Sequence, residues 1–409
     1  MKAISRALRV VAAIAQGGIL ALSLYQSFIT TAGRARAGRG QRRQPADESR
    51  PLPAIAAIIC ARNEEAAITS AVAGLLAQDY PRNLLRVAVM AHNCTDRTVE
   101  LARAAGATVV EVVTETPGKV HGLRAGLRLY GDHCDLIGVF DADTRVPPDL
   151  FRQVAAASPG EDCLQAETVP HDVHAAVAGG YGLGRKARNL LWWQPRAALG
   201  LGSTINGTGF FIRPAVLAAM LGESHTLTED LELTARLYAS GRRVAYLPGV
   251  QVVVEEPERF GSSMQQRLRW VRGHLGVVRF TWPALARRAA GGDVRALDMA
   301  IYLLTPTRLI TRVGVSGMAA ATLFRAPFAF SAWVVGPLVA LEWVLPFAVL
   351  VRERVVEPSL EGARTTLTHA LLSLCWFPLG VAALFTARVK AWDRTPRAAS
   401  GERDAVRAG

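Results

Sequence analysis

Two aspartates separated by a single residue follow an apolar run. Asp141 and Asp143 come directly after the uncharged segment 136–140. Side chains two residues apart on an extended chain point to the same side, so both carboxylates can bind one Mg²⁺ or Mn²⁺ ion, and such an ion also holds a diphosphate. Aspartate is equally common in turns, and Pro147 and Pro148 follow. By itself the pair leaves a metal site and an acidic turn as open interpretations.

A second acidic motif, Thr228-Glu229-Asp230, precedes a helical pattern over 231–240. Threonine is a good helix N-cap, and acids in the first turn complement the helix dipole, so a structural role explains this motif. The dipole also lowers the pKa of a carboxyl group. A catalytic base at this position therefore requires burial or a bound metal–substrate complex to raise the pKa of Asp230 or of Glu229 beside it.

The third motif lies on one predicted helix. Gln266, Arg269 and Trp270 are spaced i, i+3 and i+4, so they share a face of a helix that begins at about residue 262. A guanidinium can neutralise a diphosphate, and an indole can stack on a sugar ring. The same segment carries further arginines at positions 267, 272 and 279. These also fit a basic helix at a membrane interface, and both roles can hold together.

Alternating strands and helices position these motifs. Apolar runs predict strands over 54–60, 85–91, 108–113 and 135–140, and the segments between them predict helices over 64–78, 95–105 and 119–130. Apolar strands joined by helices indicate a parallel sheet that is buried on both faces. Ligands of such sheets bind beyond the carboxyl ends of the strands. The polar residues expected there are Arg62, Asn63, Glu64, His92, Asn93, Lys119 and Asp141.

The composition indicates a membrane protein. The chain has 409 residues, 50% of them hydrophobic, a net charge of +13 and a mean hydropathy of +0.20. That length allows one large domain or two ordinary ones. Many arginines flank apolar runs, which favours contact with anionic lipid and predicts no nucleic-acid partner. The five cysteines lack CxxC spacing, which excludes common zinc and redox motifs and fits reduced thiols in a cytosolic domain.

Three apolar segments are long enough to span a bilayer, and a fourth is interrupted. The first, 10–33, has more basic residues after it than before it, which places the following domain in the cytosol. A cleaved signal peptide is the competing interpretation, and the length of the run disfavours it. Two more candidates lie at 326–351 and 366–387. The stretch 296–324 contains Arg308 and Arg312, which are costly in a bilayer, so we expect it to be interfacial or kinked, with a full span as the alternative.

Together these motifs resemble the membrane-bound inverting family 2 glycosyltransferases of GT-A fold, which include cellulose, hyaluronan and poly-N-acetylglucosamine synthases. The resemblance covers roughly residues 52–280. It is carried by Ala61-Arg62-Asn63-Glu64-Glu65, Asn93-Cys94-Thr95-Asp96, Gly118-Lys119, Asp141-Ala142-Asp143, Gly207-Thr208-Gly209, Thr228-Glu229-Asp230 and the QxxRW signature of residues 266–270. His92 departs from the pattern, because many members carry an aspartate there that contacts the nucleotide base. The choice between UDP and GDP therefore stays open.

The resemblance implies an α/β fold, in which a Rossmann-like GT-A domain with a mostly parallel sheet lies in the cytosol and is flanked by transmembrane helices. The expected order is a transmembrane helix (1–33), a basic linker (34–51), the GT-A domain (52–260), interfacial helices with QxxRW (261–295), a C-terminal membrane region of two or three spans (296–388) and a basic tail (389–409). The expected location is the bacterial inner membrane, with the lipid bilayer as a partner and a further membrane partner or oligomer as an option.

The resemblance also implies roles for the residues. Asp143, with Asp141, would hold Mg²⁺ or Mn²⁺, and Asp230, with Glu229, would be the base. The donor would contact Arg62, Asn63, Glu64, His92, Asn93, Lys119 and Asp141. The acceptor and diphosphate would contact Gly207, Thr208, Gly209, Gln266, Arg269 and Trp270.

The implied activity is transfer of a sugar from a UDP- or GDP-sugar to a saccharide or lipid acceptor, including processive polysaccharide synthesis. Two alternatives stay open. An aspartyl-phosphate hydrolase would use Asp141 as its nucleophile, although such a nucleophile normally follows the first strand of its domain. An inactive membrane scaffold or lipid-binding protein with a glycosyltransferase-like fold would retain the site without turnover.

Overall fold

The structure is a computed structural model that describes residues 2–40, 50–116, 118–171, 175–222, 226–305, 308–325 and 331–386. The strands are β1 Ile55–Ala61, β2 Leu85–His92, β3 Thr108–Val112, β4 Leu136–Asp141, β5 Cys163–Pro170, β6 Phe210–Ile212 and β7 Ala245–Val254. They form one sheet in the order β3-β2-β1-β4-β6-β5-β7. Neighbouring strands are parallel except that β6 runs antiparallel to both β4 and β5. The predicted mostly parallel α/β sheet is therefore confirmed.

Helices cover both faces of the sheet. The N-terminal helices and those of the sheet region are α1 Lys2–Gly40, α2 Ile68–Leu76, α3 Thr98–Ala104, α4 Lys119–Tyr130, α5 Leu150–Ala157, α6 Ala176–Arg188, α7 Gln194–Ala198, α8 Pro214–Met220 and α9 Glu229–Ala239. One core packs α2, α3 and α5 against the sheet, and Phe140, Phe151 and Phe211 meet there edge to face. The second core packs α4, α8 and α9 against the other face.

The remaining helices follow β7. They are α10 Phe260–Ala290, α11 Val294–Leu304, α12 Leu309–Leu323, α13 Ala332–Val339, α14 Leu345–Arg352, α15 Leu360–Leu374 and α16 Trp376–Thr386, and a π-helical turn at Ala340–Val344 joins α13 to α14. Apolar residues of α10 and α11 belong to the second core of the sheet domain. The segment that follows QxxRW is thus part of the folded domain rather than a separate layer.

The predicted elements differ from the structure mainly at two helix starts. The helix predicted over 95–105 begins at Thr98 as α3. The sequence predicts a helix over 64–78, but α2 begins at Ile68. The backbone amide of Glu64 instead donates to Thr98 Oγ1 at 2.7 Å, and that of Glu65 donates to Asp96 Oδ2 at 3.1 Å. These bonds to the neighbouring loop satisfy amides that would otherwise lie in the first turn of the helix.

The apolar stretch 296–324 forms two helices. α11 ends at Leu304, and α12 starts at Leu309 and has 15 residues, so no single helix crosses this stretch. The break agrees with the expectation of a kinked segment. Pro306, which interrupts the stretch in the sequence, lies outside the described residues, as do the residues of the predicted basic tail (Arg388, Lys390, Arg394 and Arg397) and residues 41–49 of the predicted basic linker. Residues 34–40 of that predicted linker belong instead to α1, which continues to Gly40.

Three helical stretches within the described ranges are long and apolar enough to cross a membrane. They are Val10–Gly38, Ala332–Arg352 and Leu360–Thr386. α1 and the second stretch meet at a buried polar cluster, in which Ser23 Oγ donates to Glu342 Oε1 at 2.6 Å and Thr311 Oγ1 donates to Glu342 Oε2 at 3.2 Å. Arg308 Nη1 lies 3.8 Å from the same carboxylate. Because Glu342 is fully buried, these contacts fix the relative position of α1, α12 and the π-helical turn.

A second buried ion pair connects α1 to the sheet domain. Arg196 of α7 lies 3.2 Å from Asp298 of α11, and the side chains are 2% and 6% exposed. Tyr25 of α1 donates its hydroxyl proton to the same aspartate, and the Arg196 guanidinium lies 3.9 Å from the centre of the Trp192 ring. One carboxylate therefore connects three helices from distant parts of the chain.

We predict that Asp298→Ala destabilises the protein strongly. Removing one partner of a buried ion pair leaves an uncompensated charge, at a cost of about 3–5 kcal/mol. Glu100→Ala is the control, because Glu100 pairs with Arg97 on the surface with both side chains 65% exposed, where such pairs contribute about 0–1 kcal/mol. The apparent unfolding temperature in detergent measures both. Equal shifts for the two variants would contradict the role of Asp298.

Candidate active site

A cavity of about 350 Å³ lies at the carboxyl ends of β1, β2 and β4, where the parallel sheet predicts a ligand. Most residues singled out in the sequence line it, namely Arg62, Glu64, His92, Lys119, Asp141, Asp143, Gly207, Thr208, Glu229, Asp230, Gln266, Arg269 and Trp270. Segments as far apart as residues 60 and 270 therefore share one chamber. Asn63, Asn93 and Gly209 do not line it and have other contacts.

Lys119 joins two sides of the cavity. Its ammonium donates to Asp141 Oδ1 at 2.5 Å and to the carbonyl oxygen of Gly207 at 2.6 Å. Burial alone would lower the pKa of Lys119, but the attraction and hydrogen bond of Asp141, with the attraction of Glu229, outweigh it and hold the pKa above its usual value. The lysine therefore stays charged and connects the end of β4 to the turn at Gly207. It also faces the cavity, where the sequence predicts a nucleotide.

Gly207 separates two carboxylates. A Cβ atom built on this glycine would lie 3.5 Å from Asp230 Oδ2 and 3.9 Å from Asp141 Oδ2. The backbone there has φ +80°, which glycine adopts without the steric cost that other residues meet. A side chain at this position would both strain the turn and fill the space between the two acids.

The neighbouring residues hold this turn from beneath. Thr208 Oγ1 accepts the backbone amide of Asp141 at 3.1 Å and lies 2.7 Å from Thr144 Oγ1. Gln165 Nε2 donates to the carbonyl of Thr208 at 2.9 Å, and Gln165 Oε1 accepts the amide of Asn206 at 2.9 Å. Gly209 packs against Val252, where a Cβ would come within 2.6 Å of a valine methyl. Its contribution is close packing beneath the cavity.

Asp141 and Asp143 offer the cavity two carboxylates for a divalent ion. Among the described residues, no cluster of three or more His, Cys, Asp or Glu side chains could bind a metal. Mg²⁺ sites commonly use one or two carboxylates and take their remaining ligands from substrate phosphates and water. The pair fits an ion of that kind, which would arrive with a phosphate-bearing substrate.

The acidic motif begins α9 without capping it. Thr228 occupies the N-cap position, yet its side chain makes no capping hydrogen bond. The expectation that Thr228 caps the helix is therefore wrong. The amide of Leu231 instead donates to Asp230 Oδ1 at 2.8 Å. The threonine methyl packs against α10, where a Cβ on Gly273 would approach it to 2.5 Å, so glycine at 273 permits this close contact.

Burial changes the ionisation of both acids. Desolvation raises the pKa of Glu229 and of Asp230 above their ordinary values, and the negative charge of Asp230 raises that of Glu229 further. Lys119 and Arg269 oppose the shift in both cases. The lowering that the helix dipole predicts is therefore overcome, which meets the condition that the sequence sets for a base at this position.

Helix α10 forms one wall of the cavity with the face predicted from the sequence. Gln266, Arg269 and Trp270 all line the cavity, whereas Arg267 points away from it. The Arg267 guanidinium stacks 3.4 Å from the centre of the Tyr181 ring and donates to Ser263 Oγ at 2.5 Å. Because Arg267 is buried against α6, it fixes the rotation of α10 and so directs the other three side chains inward.

Asn63 and Asn93 shape the loops behind the cavity. Both have positive φ, 55° and 48°, which asparagine tolerates better than most residues. Asn63 Oδ1 accepts the amide of Thr95 at 2.8 Å. Asn93 Nδ2 donates to the carbonyl of Thr114 at 2.8 Å, and its Oδ1 accepts the amide of Thr114 at 3.1 Å. The two asparagines thus hold loops rather than face the chamber.

Several cavity residues were not predicted from the sequence. Arg185 of α6 lines the cavity together with Glu255 and Glu256, which follow β7. Arg185 Nε donates to Glu256 Oε1 at 2.5 Å. The run Glu255-Glu256-Pro257-Glu258 at a strand end was a usable signal, because the carboxyl end of any parallel strand reaches this edge. Cys60 also lines the cavity, and burial raises the pKa of its thiol to about 12, so the thiol stays protonated.

Comparison with known proteins agrees with this fold. Residues 53–273 match the family model described as glycosyltransferase like family 2. This segment is more than half of the chain and contains every sheet strand and the QxxRW signature. The protein belongs to the glycosyltransferase-like family 2, with a GT-A-like α/β fold.

Individual relatives are more distant. The chain is 30% identical over 262 residues to a beta-monoglucosyldiacylglycerol synthase of Synechocystis sp., covering 62% of this chain and 54% of that protein. It is 26% identical over 285 residues to the probable glycosyltransferase YdaM of Bacillus subtilis, covering 64% and 65%. The chain thus spans between half and two-thirds of the length of these relatives.

One solved structure resembles most of the chain. The mannosyltransferase PcManGT from Pyrobaculum calidifontis, determined with GDP-Man and Mn²⁺, has a TM-score of 0.57 at 18% identity. The similarity covers 91% of this chain and 98% of that one. It supports the shared fold.

We predict that the Glu229–Asp230 pair keeps a proton at about pH 6, where ordinary carboxyl groups with pKa values near 4 are ionised. Because burial raises the pKa, the protonated form persists as the pH rises above the usual range. The carboxylic acid band in infrared difference spectra measures this, and Glu229→Gln should reduce it. Glu100→Gln, at an exposed site, should leave the band unchanged. Complete ionisation by about pH 5 would contradict the raised pKa.

Proposed function

We propose that this protein is an inverting glycosyltransferase. It would transfer a hexosyl or N-acetylhexosaminyl group from a UDP- or GDP-sugar to a saccharide or lipid acceptor. The observation that carries the proposal is the arrangement around Gly207, with the oxygens of Asp141 and Asp230 on either side of one small space. The family assignment supports the same class of reaction.

A divalent cation, Mg²⁺ or Mn²⁺, is part of the proposal. Asp143 and Asp141 would hold it, because both offer hard oxygen ligands to the cavity. When bound, such an ion neutralises the charge that develops on a departing diphosphate. Asp141 Oδ1 is already bonded to Lys119, so this residue has one oxygen left for a further contact, and Asp143 is the main ligand.

Asp230 is the base in this proposal. Its carboxylate takes the proton of the acceptor hydroxyl, whose oxygen forms a bond to the anomeric carbon. The nucleoside diphosphate leaves from the opposite side with the bonding electrons, so the configuration is inverted. A base must be ionised to act, and a pKa raised by burial makes the carboxylate a better proton acceptor while Lys119 and Arg269 keep the ionised form accessible.

The side of α10 that lines the cavity would bind the diphosphate and the acceptor. Arg269 would neutralise the diphosphate, since a guanidinium binds phosphate oxygens in a fixed geometry. Trp270 offers an indole face on which a sugar ring can stack. Gln266 Oε1 has no hydrogen-bond partner within the described part of the chain, so it can accept a hydrogen bond from a sugar hydroxyl.

We also propose that the three long apolar stretches cross the bacterial inner membrane and leave the sheet domain in the cytosol. Large apolar side chains such as Phe28, Trp333 and Phe377 are exposed on these helices, where a bilayer would cover them. The relative from Synechocystis is named for a glucosyl lipid, which favours a lipid acceptor. A polysaccharide product, which processive members of the family make, is the alternative that sizing of the product distinguishes.

We predict that Asp143→Ala and Asp230→Asn each lower the transfer rate by roughly 10²-fold or more, because each removes a positioned group that acts on developing charge or on the proton. The assay incubates membranes with labelled UDP- and GDP-sugars and Mn²⁺, then extracts with organic solvent and sizes the product. Asp132→Asn, in an exposed turn, should retain wild-type turnover. Near-normal transfer by either site variant, with equal amounts inserted in the membrane, would refute the proposal.

A separate prediction concerns the acceptor. Trp270→Ala should raise the KM for the acceptor by roughly three- to tenfold, as expected for loss of a stacking contact, and leave the KM for the donor nearly unchanged. Trp270→Phe should recover part of the loss, because it restores an aromatic face. Trp333→Ala removes a tryptophan that is 90% exposed on α13 and serves as the control. A change in donor KM alone would place Trp270 with the nucleotide instead.

A further inference from the structure

Five arginines and three acids lie where the sheet domain meets the apolar helices. Each acid lies within 4 Å of one arginine, in the pairs Arg185–Glu256 (2.5 Å), Arg196–Asp298 (3.2 Å) and Arg308–Glu342 (3.8 Å). Arg188 of α6 and Arg312 of α12 are the other two arginines, and neither forms an ion pair or a hydrogen bond among the described residues. Two positive charges in this region therefore have no acid to balance them.

Arg308 and Arg312 lie one turn apart at the start of α12 but have different surroundings. Arg308 Nη2 donates to the carbonyl oxygen of Gln26 at 2.8 Å and to Thr30 Oγ1 at 2.7 Å. Arg312 has no bond of this kind, and its Nε is buried without a hydrogen-bond partner. Arg308 thus connects α12 to α1. Arg312 has no comparable structural contact, and a buried donor of this kind is costly unless a ligand supplies an acceptor.

The neighbour of Arg312 indicates the level of the lipid headgroups. The Arg312 guanidinium lies 5.2 Å from the centre of the Trp343 ring, and Trp343 is 45% exposed. Tryptophan is enriched at the membrane–water interface, because its ring has both an apolar body and a polar N–H group. A cation–π contact orients a guanidinium but leaves its positive charge in place. The charge of Arg312 is therefore directed to the level at which phosphates of a bilayer lie.

Arg188 lies on α6 one turn beyond Arg185, which lines the active-site cavity. Its side chain can be reached from outside, but the surrounding protein displaces part of its water. This desolvation lowers the pKa of Arg188, and repulsion from Arg185 lowers it further. A guanidinium that is partly desolvated, repelled by a neighbour and still accessible favours an anionic ligand.

Helix α15 brings the surroundings of the two arginines together. His369 Nδ1 donates to the carbonyl oxygen of Gly180 on α6 at 3.0 Å. A Cβ atom on Gly180 would come within 2.9 Å of the Thr368 methyl group, so glycine at this position lets α15 approach α6 closely. Arg188 and Arg312 both interact electrostatically with His369. The two arginines therefore belong to one basic region, which borders the last apolar stretch.

We propose that Arg188 and Arg312 bind the headgroup phosphates of anionic phospholipids at the cytosolic face of the membrane. Guanidinium groups form strong, charge-assisted hydrogen bonds with phosphate oxygens, and the two uncompensated charges favour an anionic lipid over a zwitterionic one.

The apolar surface beside this site favours a lipid over a free phosphate ion. Ile310 and Val313 of α12 are 50% and 48% exposed, and Leu371 of α15 is 56% exposed. Acyl chains can cover these side chains while the phosphate contacts the arginines. This lipid site goes beyond the proposed sugar transfer and rests only on the proposed position of the apolar helices in the membrane.

The test measures lipid binding to the full chain in neutral detergent by native mass spectrometry. The probes are dioleoylphosphatidylglycerol, dioleoylphosphatidylcholine, dioleoylglycerol and inorganic phosphate. We expect phosphatidylglycerol to bind at least roughly tenfold more tightly than phosphatidylcholine or dioleoylglycerol, because two basic side chains attract its net charge. An equal concentration of inorganic phosphate should not displace it, since a free ion lacks the apolar contacts.

Single substitutions test the two arginines separately. Arg188→Gln and Arg312→Gln should each weaken binding of phosphatidylglycerol by roughly fivefold, the contribution of one basic side chain near an anionic lipid surface. Arg188→Lys and Arg312→Lys keep the charge and should retain most of the affinity, which separates the loss of charge from a disturbance of the fold. Arg128→Gln is the control, because Arg128 is exposed on α4, which packs against the sheet.

Three outcomes would overturn the inference: equal affinity for phosphatidylglycerol and phosphatidylcholine, unchanged affinity in both glutamine variants, or displacement of the lipid by an equal concentration of inorganic phosphate. None of these outcomes depends on sugar transfer. Failure of the full chain to insert into membranes would instead refute the proposed membrane position, and loss of transfer in the Asp143 and Asp230 variants tests the catalytic proposal separately.

Discussion

The ammonium of Lys119 is the interaction on which the site depends. Asp141 and Asp230 lie on either side of Gly207, Glu229 lines the same cavity beside Asp230, and three carboxylates so placed would repel one another. Lys119 lies among them, binds Asp141 and the carbonyl of Gly207, and attracts Glu229. It therefore offsets the repulsion and fixes the geometry of the turn with the same contacts. The pKa values of Glu229 and Asp230 are still raised, because the effect of desolvation on these two acids exceeds the attraction of Lys119.

The sheet arranges the residues of the site in a row along one edge. β2, β1 and β4 are parallel neighbours whose ends lie along one edge, so residues that follow them form a row. β6 then runs antiparallel beside β4, and the turn before β6 brings Gly207 to the same edge. A substrate with a base, a diphosphate and a sugar is itself a linear sequence of parts. In the proposed function, His92, the aspartate pair and Asp230 would contact different parts of one such molecule because their order along the edge matches the order of its parts.

Helix α10 connects this row to the apolar helices. Its inner face carries Gln266, Arg269 and Trp270, and its outer face holds Arg267 against α6. The backbone also approaches Thr228 closely at Gly273. Arg272 Nε donates to Thr386 Oγ1 of α16 at 3.0 Å, so a helix of the last apolar stretch contacts the helix that forms the cavity wall. In the proposed function, an acceptor arriving from the apolar side would meet Trp270 close to Glu229 and Asp230.

The sequence by itself determined the parallel sheet, the strand-end position of Asp141 and the shared face of the α10 motif, because these follow from local periodicity. It did not determine the ionisation of Glu229 and Asp230. The dipole of their own helix predicts a lowered pKa, whereas burial by other segments raises the pKa of both acids. It assigned Asn63 and Asn93 to the nucleotide, whereas the structure gives them loop contacts, and it missed Arg185 and Glu256. His92 Nε2 lies 2.7 Å from Thr114 Oγ1, and only the fold places this threonine beside the end of β2. Periodicity is a property of neighbours along the chain, but desolvation and hydrogen-bond partners are set by residues that only the tertiary structure brings together.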